Sequence, residues 1–111
     1  MDNTLNSIAD FEHIKKTEKA FVLYITDGTC KVGESVTPKL EKLIAEQFPK
    51  LKLYYSFTSV TPEIAGQLSI FTVPTILLFI EEKLYIQKSR TFSLEALRKE
   101  IDRYYKMVFL K

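Results

Sequence analysis

Two short stretches of the sequence are almost wholly apolar, and they restrict the possible folds more than any other feature. Residues 20–26 read AFVLYIT, and residues 75–80 read TILLFI. Runs of this length without a polar face are typical of strands that are buried on both sides of a sheet. Such a sheet needs a covering layer on each side, which predicts an α/β domain with helices on both faces.

The segments around these strands predict the other elements. Helical spacing of apolar residues and helix-capping residues indicate four helices, and two more short runs indicate strands. In chain order we expect a helix capped by Ser7, strand Ala20–Thr26, a helix from about Cys30 to Phe48 kinked at Pro38, strand Leu51–Phe57, a helix over Glu63–Leu68 opened by Thr61 and Pro62, strands Thr75–Ile80 and Lys83–Ser89 joined by a turn at Glu81-Glu82, and a helix capped by Ser93. The alternation of strands and helices favours parallel pairing in the first part, and the final hairpin must be antiparallel, so the sheet should be mixed and four-stranded.

Length and charge narrow the functional classes. The 111 residues fit a single domain, 1–111. The net charge of +2 is spread along the chain, which argues against a nucleic-acid partner, and the longest apolar run is too short to cross a membrane. The first four residues lack a signal-peptide pattern, so we expect a cytoplasmic protein. The chain has one cysteine, Cys30, which argues against a metal site built on its own thiolates. It has one histidine, His13, which we expect on the surface, and nothing near it suggests a catalytic triad.

Four spacings resemble those of the thioredoxin-like superfamily. Residues 29–33 (TCKVG) stand at the predicted strand-to-helix junction, where that family carries a Cys-x-x-Cys motif. Pro38 follows Cys30 by eight residues, as the family's helix-kinking proline follows its first cysteine. Pro74 follows Cys30 by 44 residues, the usual distance of the family's cis-proline, and Pro62 precedes Pro74 by twelve. The resemblance implies a thioredoxin fold: three layers, α/β/α, around a central mixed four-stranded sheet, with a core at about 7–108.

The same resemblance implies a site. Cys30 would be the catalytic residue, and the residues beside it and beside the cis-proline would bind the substrate: Thr29, Lys31, Val32, Gly33, Val73, Pro74 and Thr75. In relatives the backbone of the residue before the cis-proline, here Val73, pairs with an extended substrate segment, which is a form of strand addition. The alternative for Pro74 is an ordinary proline at the start of a strand.

Four features depart from the family pattern, and one of them is the hairpin turn, which is often Asn-Gly in relatives and is Glu81-Glu82 here. Gly33 replaces the second cysteine, Thr29 replaces the tryptophan before the motif, and Tyr24 replaces the buried acidic residue that many relatives carry. We expect Tyr24 in the core, with its hydroxyl able to approach the cysteine helix. The fold of the family is therefore expected in full, but its dithiol chemistry is not.

The start of a helix favours a reactive thiol at Cys30. The unpaired N–H groups of a first helical turn stabilise a thiolate, so we expect the pKa of the Cys30 thiol to lie below its ordinary value. Lys31 would add to this effect, whereas Asp27 and Glu34 would oppose it. The alternative is an inert, buried cysteine, which is the commonest fate of a free thiol.

These residues leave three functions open. The first is a monothiol thiol–disulfide oxidoreductase that acts through Cys30 on protein disulfides or small-thiol mixed disulfides, with an external resolving thiol and no cofactor. The second is a redox-inactive binding module that holds protein partners at the Val73-Pro74 loop. The third is an iron–sulfur cluster held between two subunits through Cys30 and an external thiol. We favour the first, and we expect a monomer rather than a dimer, with the apolar residues 104–110 packed on the core.

Overall fold

The computed structural model describes residues 3–27, 31–89 and 93–109, and for residues 31–37 it describes the backbone only. In chain order these residues form α1 (Ile8–Thr17), β1 (Ala20–Thr26), α2 (Lys31–Gln47), β2 (Lys52–Phe57), α3 (Pro62–Gln67), β3 (Thr75–Ile80), β4 (Lys83–Ser89) and α4 (Leu94–Phe109). The order is the expected one, and the bounds differ by single residues. For example, α2 ends at Gln47 rather than Phe48, and β2 begins at Lys52 rather than Leu51.

The four strands form one mixed sheet in the order β2-β1-β3-β4. β1 is parallel to β2 and antiparallel to β3, and β3 is antiparallel to β4. Because β1 and β2 are parallel, the chain has to return along the sheet between them, and α2 provides this crossover. The predicted mixed sheet is confirmed.

Alternate residues of β1 face two separate halves of the core. Val22 and Tyr24 belong to a buried cluster with residues of α2 and α4, whereas Phe21, Leu23 and Ile25 belong to a second cluster with residues of α1 and α3. Every residue of β1 and of β3 is buried. This arrangement explains why both strands lack a polar face in the sequence, and it confirms the three-layer fold.

Two of the predicted helix caps are confirmed. The hydroxyl of Ser7 accepts a hydrogen bond from the N–H of Asp10 at 3.1 Å, and the hydroxyl of Ser93 accepts one from the N–H of Ala96 at 3.2 Å. The carboxylate of Asp10 accepts a hydrogen bond from the N–H of Asn6 at 3.0 Å. In a regular capping box this bond would come from the N–H of the cap residue, Ser7, so here it is displaced by one residue. Local capping chemistry therefore sets the start of α1 and of α4.

The segment before α1 lies along the outer edge of β2. Leu5 donates its N–H to the carbonyl of Tyr55 at 2.8 Å, Tyr55 donates to the carbonyl of Asn3 at 3.0 Å, and Thr4 forms a parallel bridge with Tyr55.

Thr61 occupies the cap position of α3, but its side chain does not cap the helix as predicted. Its hydroxyl donates instead to the carbonyl of Leu5 at 3.2 Å, because both residues are buried and water cannot supply that carbonyl with a donor.

The turn between β3 and β4 lies at Glu81-Glu82, as predicted. Both residues have positive φ, 49° and 71°, in a two-residue hairpin connection that normally favours Asn and Gly. The register of the hairpin shifts between Leu78 and Phe79, so Tyr85 is the extra residue of a β-bulge. This hairpin departs from regular geometry at both places.

Candidate functional site

One end of the sheet collects the connections that the sequence marked as functional. The register pairs Thr26 with Phe57, and Ile25 with Thr75. β1 and β2 therefore end, and β3 begins, at the same end of the sheet. Four connections meet the strands there, and we call this region the loop end: residues 27–30, 58–61, 71–74 and 90–93.

The predicted catalytic residue belongs to the first of these connections. Cys30 and its neighbour Thr29 lie outside the described residues. Lys31, Val32 and Gly33 are the first three residues of α2 and have a helical backbone. In the sequence, Cys30 thus directly precedes the helix that leaves the loop end, and the position of its sulfur stays a prediction.

The second group of predicted site residues borders β3. The Val73–Pro74 peptide bond is cis. Val73 is half-buried against the α1/α3 cluster, whereas Pro74 and Thr75 are buried. The hydroxyl of Thr75 donates to the carbonyl of Thr72 at 2.5 Å and lies 2.8 Å from the hydroxyl of Ser89. The Thr75 side chain therefore supports the loop from inside, and Val73 is the member of the group that reaches the surface.

Tyr24 lies in the core, as predicted, where it is fully buried in the α2/α4 cluster. Its ring meets the ring of Tyr55 edge-on, with centroids 6.2 Å apart. The hydroxyl of Tyr55 donates in turn to the carboxylate of Glu41 in α2. The sequence analysis missed the last two residues, although the alternation of β2 places Tyr55 on the face that α2 covers. These contacts hold α2 against β1 and β2.

Two exposed apolar side chains at the loop end were also missed. The side chain of Phe71 is 90% exposed, and that of Val60 is 57% exposed. Ile70 and Phe71 are adjacent apolar residues in a loop, so the local pattern could not tell that Ile70 is buried while Phe71 faces outward. Among the described residues of the loop end, 27, 58–61, 71–74 and 93, Asp27 is the one charged residue. The part of the loop end that the structure describes is therefore largely apolar, whereas Arg90 and the side chain of Lys31 lie outside the described residues.

The described part of the chain contains neither a cluster of metal-binding side chains nor a membrane-spanning helix. It contains no group of three or more His, Cys, Asp or Glu residues that could hold a metal ion. None of the helices, as far as they are described, is both long enough and apolar enough to cross a membrane. His13 is exposed on α1, as predicted.

Comparison with known proteins decides the family. Over 103 residues the chain is 33% identical to the thioredoxin-like protein YdfQ of Bacillus subtilis (strain 168), and the match covers 93% of this chain and 91% of that protein. This chain belongs to the thioredoxin-like proteins. No family model matches its sequence. The resemblance inferred from the four spacings is confirmed.

Solved structures agree with the fold of this thioredoxin-like protein. Thioredoxin from Trypanosoma brucei brucei superposes with a TM-score of 0.84 at 20% identity, covering 96% of this chain and 92% of that one. Thioredoxin from Fasciola hepatica gives a TM-score of 0.80 at 23% identity, covering 93% and 98%. At these identities the likeness concerns the fold, and the predicted thioredoxin fold is confirmed.

Proposed function

We propose that this thioredoxin-like protein is a monothiol thiol–disulfide oxidoreductase in which Cys30 is the nucleophile. One observation carries the proposal: the single cysteine of the chain stands directly before α2, in a connection of the loop end. The first N–H groups of a helix have no partner within the helix and mark the positive end of its dipole. A sulfur held against them is stabilised as a thiolate, the form that attacks disulfides.

The reaction is a thiol–disulfide exchange in two steps. The Cys30 thiolate attacks one sulfur of a disulfide R–S–S–R′, a bond forms between Cys30 and the R sulfur, and R′–S⁻ leaves with the electron pair of the broken bond. The thiolate of a low-molecular-weight thiol then attacks the R sulfur and releases the Cys30 thiolate. Gly33 stands where relatives carry the resolving cysteine, so the second thiol has to come from outside the chain. A reducing compartment such as the cytoplasm supplies thiols of this kind.

The substrate in this proposal is a protein disulfide or a mixed disulfide of a small thiol. An extended protein segment would pair with the backbone at Val73 and pass between the Val73-Pro74 loop and the start of α2, formed by Thr29, Lys31, Val32 and Gly33. The buried Pro74 and the Thr75 hydroxyl bonds support a rigid platform on the β3 side. A rigid platform reduces the entropy lost when the segment binds.

The test uses the fact that the chain has one sulfhydryl group. Alkylation of Cys30 at a series of pH values is expected to give a pKa for this thiol below that of free cysteine. Reduction of a disulfide substrate should require an added small thiol and should fall to background in Cys30→Ser. An alkylation profile like that of free cysteine, with no mixed disulfide trapped, would contradict the proposal.

The absence of a cysteine at position 33 supports a second candidate, a binding module without redox turnover. It would use the same loop end and the same class of protein partner. In that case Cys30→Ser would leave the binding of a partner segment unchanged, and the wild type would show no turnover at any thiol concentration. The two measurements together separate the candidates.

A further inference from the structure

Ser89, the last residue of β4, is linked to the loop before β3 by a chain of hydrogen bonds. The Thr75 hydroxyl donates to the carbonyl of Thr72 at 2.5 Å and lies 2.8 Å from the hydroxyl of Ser89. A threonine hydroxyl carries one proton, and a carbonyl can only accept. Because Thr75 uses its proton on Thr72, Ser89 has to be the donor to the Thr75 oxygen. The chain therefore runs from Ser89 through Thr75 to Thr72.

The Thr72 carbonyl fixes the direction of the Val73 N–H. The Val73–Pro74 bond is the one cis bond among the described residues, so the Thr72–Val73 bond is trans. A trans peptide is planar, and its C=O and N–H point in opposite directions. The carbonyl faces the fully buried Thr75, so the N–H of Val73 points away from it. In the described part of the chain this N–H has no hydrogen-bond partner, which leaves it available to a segment that binds from outside.

We propose that Ser89 is a positioning residue: through this chain of hydrogen bonds it keeps the Val73 N–H turned toward a bound segment. The inference rests on the proposed function, because the segment is the one that pairs with the backbone at Val73. Hydroxyl groups in a chain polarise one another, so the donor at Ser89 strengthens the bond from Thr75 to Thr72. Loss of the Ser89 hydroxyl should therefore weaken the binding of the segment and leave the Cys30 thiol unchanged.

The test compares amide and ester forms of one labelled peptide, which carries a single cysteine as a mixed disulfide with a small thiol. In each ester form, an ester replaces one of the three amide bonds on either side of the cysteine. An ester lacks the N–H, and its carbonyl is a weaker acceptor. Fluorescence polarisation with Cys30→Ser protein measures the affinities. At the bond that meets the Val73 N–H, the ester is expected to weaken binding about fivefold, the effect of one hydrogen bond.

Two variants of the same shape isolate the hydroxyl of Ser89. Ser89→Thr keeps it and should behave as the wild type, whereas Ser89→Val lacks it. In Ser89→Val the amide peptide should bind about fivefold more weakly, and the difference between amide and ester should fall below about twofold. Gln87→Ala is the matched control, because Gln87 is exposed on the same strand, and it should keep the wild-type difference. A merely structural role of Ser89 would weaken both peptides by the same factor, and that result would overturn the inference.

Turnover separates this inference from the proposed function. With Cys30 intact, Ser89→Val should raise the KM for the amide peptide about fivefold and leave kcat and the alkylation profile of Cys30 unchanged. Binding that couples Ser89 to the ester, without any turnover by the wild type, would support the role of Ser89 and overturn the oxidoreductase. Turnover with equal KM values in Ser89→Val and the wild type would overturn the role of Ser89 and leave the oxidoreductase standing. If neither binding nor turnover is found, both are overturned.

Discussion

The two ends of the sheet differ in how they combine charge with exposed apolar surface. At the end opposite the loop end, which we call the turn end, the connections are residues 18–19, 48–51 and 81–82, and five of these eight residues are charged. Exposed apolar side chains occur there too, in a groove of about 480 Å³, but Lys19 and Glu81 line the same groove and Tyr85 meets the ring of Tyr104. At the loop end, Phe71 stands on a surface where Asp27 is the one charge among the described residues.

The difference indicates which end of the sheet favours contact with a partner. Mixed charges keep an apolar surface hydrated and oppose association, whereas an exposed ring on an uncharged surface favours it. Both ends close the same sheet and need turns of similar length, so folding alone gives no reason for the asymmetry. This difference agrees with the proposed partner binding at the loop end, and the following predictions test that proposal from the largest expected effect to the smallest.

Restoring the second thiol at the loop end should change the chemistry completely. In Gly33→Cys, the new thiolate can attack Cys30 in a mixed disulfide, so an internal disulfide forms and the substrate thiol leaves without an external thiol. We expect the variant to reduce insulin disulfides in single-turnover assays in which the wild type traps a mixed disulfide. Lys42→Cys is the control, because this exposed position lies about 16 Å along α2 from its first residue, Lys31. If both variants behave alike, the motif is not in the register proposed here.

Removing the Thr75 hydroxyl should destabilise the loop end. Thr75→Val keeps the shape of the side chain but leaves the Thr72 carbonyl and the Ser89 hydroxyl without this buried partner. We expect the free energy of unfolding to fall by about 2 kcal/mol in urea titrations. The matched control is Thr17→Val near the turn end, where an exposed hydroxyl donates to the carbonyl of His13 at 2.9 Å. The control should change stability by less than about 0.5 kcal/mol, and equal losses in the two variants would argue against the supporting role of Thr75.

Relieving the backbone of the hairpin should stabilise the turn end. Glu82 has φ 71°, a conformation that glycine adopts without steric cost. Glu82→Gly should therefore raise the free energy of unfolding by up to about 1 kcal/mol. Glu46→Gly, on the exposed face of α2, should have the opposite sign and cost about 1 kcal/mol. Thermal unfolding of both variants measures these changes. A loss of stability in Glu82→Gly would contradict the prediction.

The smallest effect concerns pH. Burial, together with the hydrogen bond and the charge of Glu18, raises the pKa of Tyr54 to about 12. A raised pKa means that the folded state holds this proton more tightly, so the contribution to stability is complete below pH 10 and disappears as the pH rises through 12. Between these pH values the stability of the wild type should fall more steeply than that of Tyr54→Phe. Identical slopes for Tyr54→Phe and the wild type would contradict the assignment.

The fold could be predicted because its signals are local or periodic. The apolar runs gave β1 and β3, the caps Ser7 and Ser93 gave two helix starts, and the spacing of Pro74 from Cys30 gave the family. These features depend on a residue and its near neighbours, or on a period that only one kind of element satisfies.

The rest depends on contacts between distant parts of the chain. The Thr61 hydroxyl bonds to Leu5, 56 residues away, and Tyr54 bonds to Glu18, 36 residues away. No local pattern specifies such partners. The exposure of Phe71 is decided in the same way, since Ile70 is buried in the α1/α3 cluster and its neighbour Phe71 is not. The motif and the spacing behind the candidate site could thus be read from the sequence, but the exposed residues around it could not.

The strand-like pairing of the first residues with β2 has a practical consequence for anyone who modifies this protein. Asn3, Thr4 and Leu5 occupy hydrogen-bonding groups on the outer side of β2 that would otherwise be open to another molecule. Trimming them away would create a free strand edge, the usual starting point for aggregation. It would also release Thr61, so that damage at the amino terminus would reach the connection after β2. Affinity tags and immobilisation chemistry are therefore better kept away from this segment.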